Sequence, residues 1–288
     1  MFFDDDTQLK KNPAIIRKSD GGFNYMTTDL ATVEYRWQTW RPDEIIYVTD
    51  GRQQLHFQQL FTAFRRWHAN APVKLVHVWF GSILGDDGKP FRTRAGDVVK
   101  LADLLDEAEE RALKLVSEKN PDLPESERRN IARVVGLSAI KYADLLPNRQ
   151  SDYVFSWDKM LALDGNTAPY LLYAYARIRS IFRRGGDAAT GALGQGSLKL
   201  TAPEEVTLAK HLFNFGVILE AAVTEYRPNY LCNYLYELAG HFMRFFEQCP
   251  VLKSEGETRI TRLVLCELTA RVLKQGLNVL GIETLEQM

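Results

Sequence analysis

Three cations lie within six residues of each other in a glycine-containing loop. Residues 80–101 read FGSILGDDGKPFRTRAGDVVKL, and Lys89, Arg92 and Arg94 follow two glycines there. The glycines predict a loop that can move, and cations on such a loop can hold a polyphosphate while a phosphoryl group reacts. No GxxxxGK[ST] pattern is present, so the sequence excludes a Walker A phosphate loop.

Polar side chains upstream of this loop are suited to a planar cation. Tyr25 and Asp29 lie in the segment YMTTD, and Gln53 opens a later helix-like run. A carboxylate pairs with a guanidinium through two parallel hydrogen bonds, a phenol can flank it, and an amide oxygen can accept a further proton. The alternative is that Asp29 only favours a helix dipole and Tyr25 belongs to the core. His56, three positions after Gln53, either reaches a nucleotide or caps local polar groups.

The elements that would position these groups alternate between strand and helix. Residues 44–49 and 73–80 are short and β-branched, which predicts buried strands, and the intervening helical patterns predict a parallel sheet with right-handed crossovers. Ligands of such sheets bind beyond the carboxyl ends of the strands. We predict a hairpin from residues 14–18 and 23–26 around the turn SDGG, and helices over 28–39 and 54–69.

The rest of the chain has the periodicity of helices. The predicted fold class is therefore α/β followed by all-α, with a partial parallel, Rossmann-type nucleotide-binding sheet in residues 1–150 and a helical bundle in residues 151–288. The predicted helices cover 101–119, 126–146, 167–184, 204–226, 229–248 and 258–280.

One helix of the predicted bundle combines aromatic and basic residues. Tyr170 and Tyr173 share a helix face, and Arg177, Arg179, Arg183 and Arg184 follow them. Aromatic rings beside arginines can stack unpaired RNA bases and hold phosphates. The alternative is that the tyrosines pack in the bundle and the arginines are solvated. A second aromatic stripe has the spacing of a core face; it comprises Tyr230, Tyr234, Phe242, Phe245 and Phe246.

Composition limits the remaining classes of function. There are 36 basic and 37 acidic residues, so RNA contact must come from local patches and not from an overall field. The three cysteines form no CxxC pair, which predicts a reducing compartment and no structural metal. We find no apolar run of membrane-spanning length and predict a cytoplasmic protein without a membrane partner.

Five segments in continuous order resemble arginyl-tRNA synthetase of class I. They read KSDGGFNYMTTDLATVEYR, IIYVTDGRQQLHFQQLF, GKPFRTRAGDVVKL, SDYVFSWDKMLALDGNTAPYLLYAYARIRSI and RVLKQGLNVLGIETLEQM. The resemblance implies an arginine–tRNA ligase fold with ATP as a substrate, Mg²⁺ accompanying the ATP, and L-arginine and tRNA(Arg) as partners. It also implies a DALR-type anticodon-binding domain in the helical half.

The resemblance assigns roles to individual positions. Residues 88–96 stand where class I synthetases have their KMSKS signature, with Lys89 and Arg92 at its two lysines, and the sequence here departs from it as KPFRT. It implies arginine binding by Tyr25, Asp29 and Gln53, catalytic and ATP-binding roles for Lys89 and Arg92, and anticodon contacts by Tyr170, Tyr173, Phe246 and Met288. His56, from its position one turn after Gln53, is predicted to bind ATP as well.

The HIGH signature of class I synthetases is absent from the sequence. We therefore expect the chain to correspond to the C-terminal half of the enzyme and to be incomplete for catalysis by itself. Two alternatives stay open: a non-catalytic tRNA-binding module, and one subunit of a split enzyme completed by a separate N-terminal polypeptide that carries HIGH.

Overall fold

The computed structural model describes residues 1–85, 87–89, 100–191 and 198–288. The chain divides into two compact units, which we call unit 1 (Met1–Ser82 and Gln150–Asp152) and unit 2 (Ile83–Arg149 and Tyr153–Met288). The two units are defined only by how closely their residues pack, which does not test the boundaries of the predicted domains. The predicted domains, 1–150 and 151–288, therefore stay a prediction.

Unit 1 contains two helices and a two-stranded parallel sheet. The strands pair over seven residues, from Glu44 opposite Lys74 to Asp50 opposite Phe80, and helix α2 makes the crossover between them. The predicted strands and their parallel pairing are confirmed. In chain order the elements are α1 (Tyr25–Trp40), β1 (Glu44–Asp50), a 3-10 turn (Gly51–Gln53), α2 (Gln54–Trp67) and β2 (Lys74–Phe80).

Helical periodicity decides which side of α2 faces the core. Phe57, Leu60 and Phe64 recur at helical spacing and are all buried. They cover only one face of the sheet, because Ile46 and Val48 on β1 are 46% and 63% exposed. The prediction of fully buried strands is therefore wrong for β1, since alternate residues of a strand point to opposite faces.

The predicted hairpin of residues 14–18 and 23–26 does not form. The segment makes a tight turn in which the Lys18 N–H donates to the Gly22 carbonyl at 2.9 Å, with Gly21 at φ +86°, but neither flank is a strand. Helix α1 begins at Tyr25, and the Asn24 carbonyl accepts its first backbone bonds. Backbone groups that a hairpin would pair between its two strands are thus bonded within the first turn of the helix.

Unit 2 is mostly helical and has one small parallel sheet. Strands β3 and β4 pair with Ile83 opposite Tyr153, and the helices agree closely with the predicted ones. In chain order its elements are β3 (Ile83–Leu84), α3 (Leu101–Lys119), α4 (Glu125–Leu145), β4 (Tyr153–Val154), α5 (Trp157–Met160), α6 (Ala168–Gly191), α7 (Pro203–Phe213), α8 (Phe215–Glu225), α9 (Pro228–Gln248) and α10 (Gly256–Val279).

Glycines allow two pairs of these helices to approach closely. A Cβ atom on Gly136 of α4 would lie 2.6 Å from the Ala108 carbonyl oxygen of α3, and one on Gly276 of α10 would lie 2.6 Å from the Leu235 Cδ2 atom of α9. Both distances are below van der Waals contact. These two glycines therefore set how near the paired helix backbones lie.

The predicted helix 204–226 is divided at Asn214. Its N–H donates to the His211 carbonyl at 3.0 Å, and α8 begins at the next residue. Asparagine favours helix ends because its side chain competes for backbone bonds. Within the described residues, length and composition alone mark Pro203–Glu225, which contains an 18-residue window of mean hydropathy 1.4, as able to cross a membrane. We expected no such run from the sequence. Both helices of this segment, α7 and α8, pack against α9.

Candidate functional site

The candidate guanidinium-binding residues lie at the N-terminal ends of α1 and α2 in unit 1. Tyr25 is the first residue of α1 and is 83% exposed, whereas the Asp29 side chain, one turn later, is 41% exposed. The Thr27 hydroxyl donates to the Ile16 carbonyl and fixes the start of the helix. Both candidate side chains therefore remain accessible on a helix end that is held by the preceding segment.

A short contact joins the two helices at this site. The His56 Nε2 atom of α2 lies 2.6 Å from the Asp29 Oδ2 atom of α1. An ionised carboxylate only accepts hydrogen bonds, so the imidazole must donate. The sequence assigned these residues to different substrates, and the structure brings them into direct contact.

Gln53 lies just before His56, where β1 turns into α2. The Asp50 carboxylate accepts bonds from the Arg52 backbone N–H at 2.7 Å and from its Nε at 2.8 Å, and these bonds lower the pKa of Asp50. Gly51 is required here because a Cβ atom would lie 2.9 Å from the Trp79 ring. The turn leaves Gln53 exposed, one helical turn from the Asp29–His56 contact.

Tyr47 and Arg36 are neighbours of this site that the sequence analysis missed. The Arg36 guanidinium lies over the Tyr47 ring, with its carbon 5.4 Å from the ring centroid. Burial raises the pKa of Tyr47, Arg36 lowers it, and the charge of Asp29 raises it. In the sequence Tyr47 resembles any core residue of a strand. Only its neighbours in space, Arg36 and Asp29, show that it borders the site.

The predicted phosphate-binding loop is described only in part. Lys89 is exposed and closes a turn in which the Gly85 N–H donates to its carbonyl at 2.8 Å. Arg92 and Arg94 lie outside the described residues. Lys89 belongs to unit 2 and Asp29 to unit 1, so their convergence on one pocket stays a prediction.

The candidate RNA-binding residues of unit 2 lie on α6 and α9. The Arg177 guanidinium carbon is 5.6 Å from the Tyr173 ring centroid and 4.9 Å from that of Phe246. Tyr173 is 43% exposed, so this aromatic residue is partly accessible to solvent beside the Arg177 cation. Tyr170 is half-buried against Tyr236, at 5.6 Å between centroids, and burial raises its pKa.

Two of the predicted phosphate-binding arginines have intramolecular partners. The Arg179 Nε donates to the Glu286 carboxylate at 2.9 Å, and an Arg183 nitrogen donates to the Glu286 carbonyl at 2.6 Å. The Tyr175 hydroxyl donates to the same carboxylate at 2.7 Å. Burial would raise the pKa of Glu286, but Tyr175 and Arg179 lower it below its usual value. These contacts hold the C-terminal segment, in which Met288 packs half-buried against the core.

The second aromatic stripe belongs mainly to the core of unit 2. Tyr234, Phe242 and Phe245 are at most 3% exposed, which confirms the expectation from their spacing. Burial also raises the pKa of the Cys232 thiol to about 12. In the parts of the chain that the structure describes, no three His, Cys, Asp or Glu side chains are grouped so as to hold a metal ion.

Comparison with known protein families accounts for most of the chain. The family described as "tRNA synthetases class I (R), catalytic domain" matches residues 3–157, and the family "DALR anticodon binding domain" matches residues 171–288. The chain belongs to the arginyl-tRNA synthetase family. The predicted resemblance and the predicted fold class are thereby confirmed.

Individual relatives agree with this assignment to the arginyl-tRNA synthetase family. "Arginine--tRNA ligase" of Laribacter hongkongensis is 54% identical over 95% of this chain and 47% of its own length. "Arginine--tRNA ligase" of Chromobacterium violaceum is 51% identical over 100% of this chain and 50% of its own length. The chain therefore spans about half the length of these curated relatives.

Solved structures of arginyl-tRNA synthetases have the same fold over the matched part. The enzyme of Plasmodium falciparum superimposes with a TM-score of 0.83 at 33% identity, over 96% of this chain and 48% of its own. The enzyme of Thermus thermophilus gives a TM-score of 0.84 at 27% identity, over 96% and 51%.

Proposed function

We propose that the chain contributes the arginine-selecting and anticodon-binding parts of an arginine–tRNA ligase. Its 54% identity to the Laribacter ligase, extending over both domains, carries this proposal. In the proposed reaction the carboxylate of L-arginine attacks the α-phosphate of ATP, diphosphate leaves, and a terminal ribose hydroxyl of tRNA(Arg) then displaces AMP from the arginyl-adenylate. Mg²⁺ enters with the ATP, and the protein acts in the cytoplasm.

Asp29 is the group that we propose for arginine selection. Its accessible carboxylate can form a bidentate pair with the substrate guanidinium, which lysine cannot reproduce because an ammonium lacks the planar fork. The exposed phenol of Tyr25 and the amide of Gln53 lie within a turn of Asp29 and His56 respectively. This clustering of four predicted residues at two helix ends supports the assignment.

Lys89 and Arg92 are proposed to stabilise the reacting triphosphate. Negative charge builds up on the phosphoryl oxygens and on the departing diphosphate, so fixed cations favour the transition state over bound ATP. The exposed position of Lys89 supports this role. Tyr170, Tyr173, Phe246 and Met288 are proposed to contact the anticodon loop, and the partial exposure of Tyr173 supports this role.

Arginine-dependent exchange of diphosphate into ATP tests the catalytic proposal. The 288-residue chain should be assayed with tRNA(Arg), alone and together with a polypeptide that supplies the rest of the length of the Laribacter relative. We expect exchange in the mixture, and its loss on Asp29→Ala but not on Glu34→Ala, a change on the same helix. Undiminished exchange by Asp29→Ala would contradict the assignment of Asp29.

A non-catalytic tRNA-binding module is the second candidate, favoured by the match of residues 171–288 to the DALR anticodon binding domain. Under this alternative the chain binds an anticodon stem-loop but supports no exchange in any mixture. A split enzyme, in contrast, gives exchange only when a second polypeptide is present. The same assay therefore separates the non-catalytic module from the two catalytic functions, which both give exchange in the mixture.

A further inference from the structure

His56 of α2 and Asp29 of α1 are in direct contact. Its Nε2–H donates to Asp29 Oδ2 at 2.6 Å across two helices, from a residue 27 positions away in the sequence. We propose that His56 is a positioning residue, which holds the Asp29 carboxylate in the orientation that receives a guanidinium. This inference rests on the proposed role of Asp29 in arginine selection.

The carboxylate needs such a partner because it lies on an open helix surface. An unrestrained Asp29 side chain, 41% exposed, would sample several rotamers and lose that freedom on binding, which weakens binding. A bidentate pair requires both carboxylate oxygens to lie in the plane of the guanidinium. His56 occupies one acceptor site on Oδ2, while Oδ1 and the second lone pair of Oδ2 remain for the ligand.

His56 is itself held in place. It lies in the first turn of α2 with its ring 5.3 Å from the Phe57 ring at 77°, an edge contact, and its side chain is 27% exposed. Phe57 is buried in the core of unit 1. The imidazole is therefore anchored more firmly than the carboxylate that it contacts, as a positioning residue must be.

The same helix pair contains a matched control. The His68 Nε2 atom at the end of α2 lies 3.4 Å from the Glu34 Oε1 atom of α1. This second imidazole–carboxylate pair joins the same two helices but lies more than a helical turn beyond the candidate site. Replacing His68 removes a longer helix-to-helix contact, in which the Nε2 atom makes no hydrogen bond to any described residue, and leaves the Asp29 carboxylate untouched.

A double-mutant cycle on the full 288-residue chain tests the proposal. L-arginine affinity is measured without nucleotide, by NMR titration, for the unmodified chain, for His56→Leu, His56→Gln, His68→Gln and Asp29→Asn, and for the double variant. We expect His56→Leu to weaken arginine binding by up to about tenfold, because the Asp29 side chain is then free and must be ordered when arginine binds. His56→Gln retains an N–H donor and should stay within about threefold of the unmodified chain.

The readout that separates positioning from general stability is the coupling with Asp29. In the Asp29→Asn background, His56→Leu should weaken binding by less than about twofold, because the group that it positions is gone. Unchanged or tighter arginine binding by His56→Leu overturns the proposal, as does an equal loss in both backgrounds or the same loss on His68→Gln. If the unmodified chain binds no arginine, or Asp29→Asn binds it equally well, the proposed arginine site fails first and the inference falls with it.

Discussion

At the scale of single residues, the groups proposed to meet substrates are partly exposed and fixed by a neighbour. Asp29 is held by His56 on an adjacent helix. The Tyr173 ring lies beside Arg177, which also covers Phe246 on another helix. In each case a polar or cationic side chain restrains a group that solvent can reach, and this reduces the entropy lost on binding.

Replacing Tyr173 tests the RNA-binding surface at this scale. We expect Tyr173→Ala to weaken binding of a tRNA(Arg) anticodon stem-loop about tenfold, because stacking of one base on an aromatic ring contributes ~1–3 kcal/mol. Fluorescence anisotropy with labelled RNA measures it. Tyr35→Ala is the control, since Tyr35 is 61% exposed but lies in unit 1. Equal losses from both changes would contradict a specific stacking role for Tyr173.

At the scale of elements, two features determine how α10 packs. One is a buried charged residue on α7, and the other is a glycine of α10 that faces α9. Glu205 in the first turn of α7 is fully buried and pairs with Arg262 of α10 at 2.7 Å. It also accepts backbone bonds from Thr201 and Ala202. Gly276 of α10 provides the close approach to α9.

The pH dependence of stability follows from the environment of Glu205. Burial would raise its pKa, but the Thr201 and Ala202 N–H groups and Arg262 outweigh burial and lower it below 4.5. Because folding lowers the pKa of Glu205, its ionised carboxylate stabilises the fold at pH values above the ordinary pKa. This contribution is lost as the pH falls through the lowered pKa.

We therefore expect Glu205→Gln to reduce the free energy of unfolding by about 3 kcal/mol near neutral pH, since it leaves Arg262 without its charged partner. The difference from the unmodified chain should shrink as the pH falls through the lowered pKa of Glu205, because the carboxyl itself is then protonated. Urea unfolding of both chains over a series of acidic pH values measures this. Glu204→Gln, its neighbour, should cost less than about 0.5 kcal/mol. A difference that is independent of pH would contradict the role of the charge.

Two glycine substitutions test the helix contact. Gly276→Ala should destabilise unit 2 by about 1–3 kcal/mol, because its Cβ would overlap Leu235 and force the helices apart. Gly240→Ala, also inside a helix, meets no atom within 4 Å and should stabilise the helix by about 0.5–1 kcal/mol. Thermal unfolding of both variants gives the comparison. The packing argument fails if the two changes have effects of the same sign.

At the scale of the whole molecule, the near-neutral charge determines how RNA can be bound. The formal net charge is −1, and Arg179 and Arg183 are engaged with Glu286. Few cations of α6 therefore remain for phosphates, so under the proposed function base stacking contributes much of the affinity for the anticodon loop.

The salt dependence of RNA binding measures this balance. For two or three phosphate contacts on a single-stranded loop, the logarithm of the association constant should fall against the logarithm of salt concentration with a slope of about −2. Titrations of the anticodon stem-loop at several salt concentrations give the slope, with Arg177→Gln reducing its magnitude by less than one unit. A slope steeper than about −5 would show that phosphate contacts dominate.

Local patterns determined the elements and the family. Short β-branched runs identified both strands of unit 1, and the helical period of apolar residues identified most helices of unit 2, because both patterns are local to one segment. The five segments that resemble arginyl-tRNA synthetases likewise need no coordinates. Local patterns failed at residues 14–26, where a helix starting at Tyr25 takes the backbone bonds of the expected hairpin, and at Asn214, where one predicted helix becomes two.

The sequence by itself thus provided the residue types that could bind a guanidinium, a polyphosphate and an RNA base. Only the tertiary structure decided which of them meet. Asp29 and His56, 27 positions apart, contact each other, and Arg177 of α6 lies against Phe246 of α9. Arg179 and Arg183, in contrast, are paired with the C-terminal segment. Contacts of this kind depend on how helices that are distant in sequence pack against each other. The periodicity of a single segment contains no information about which helix it packs against.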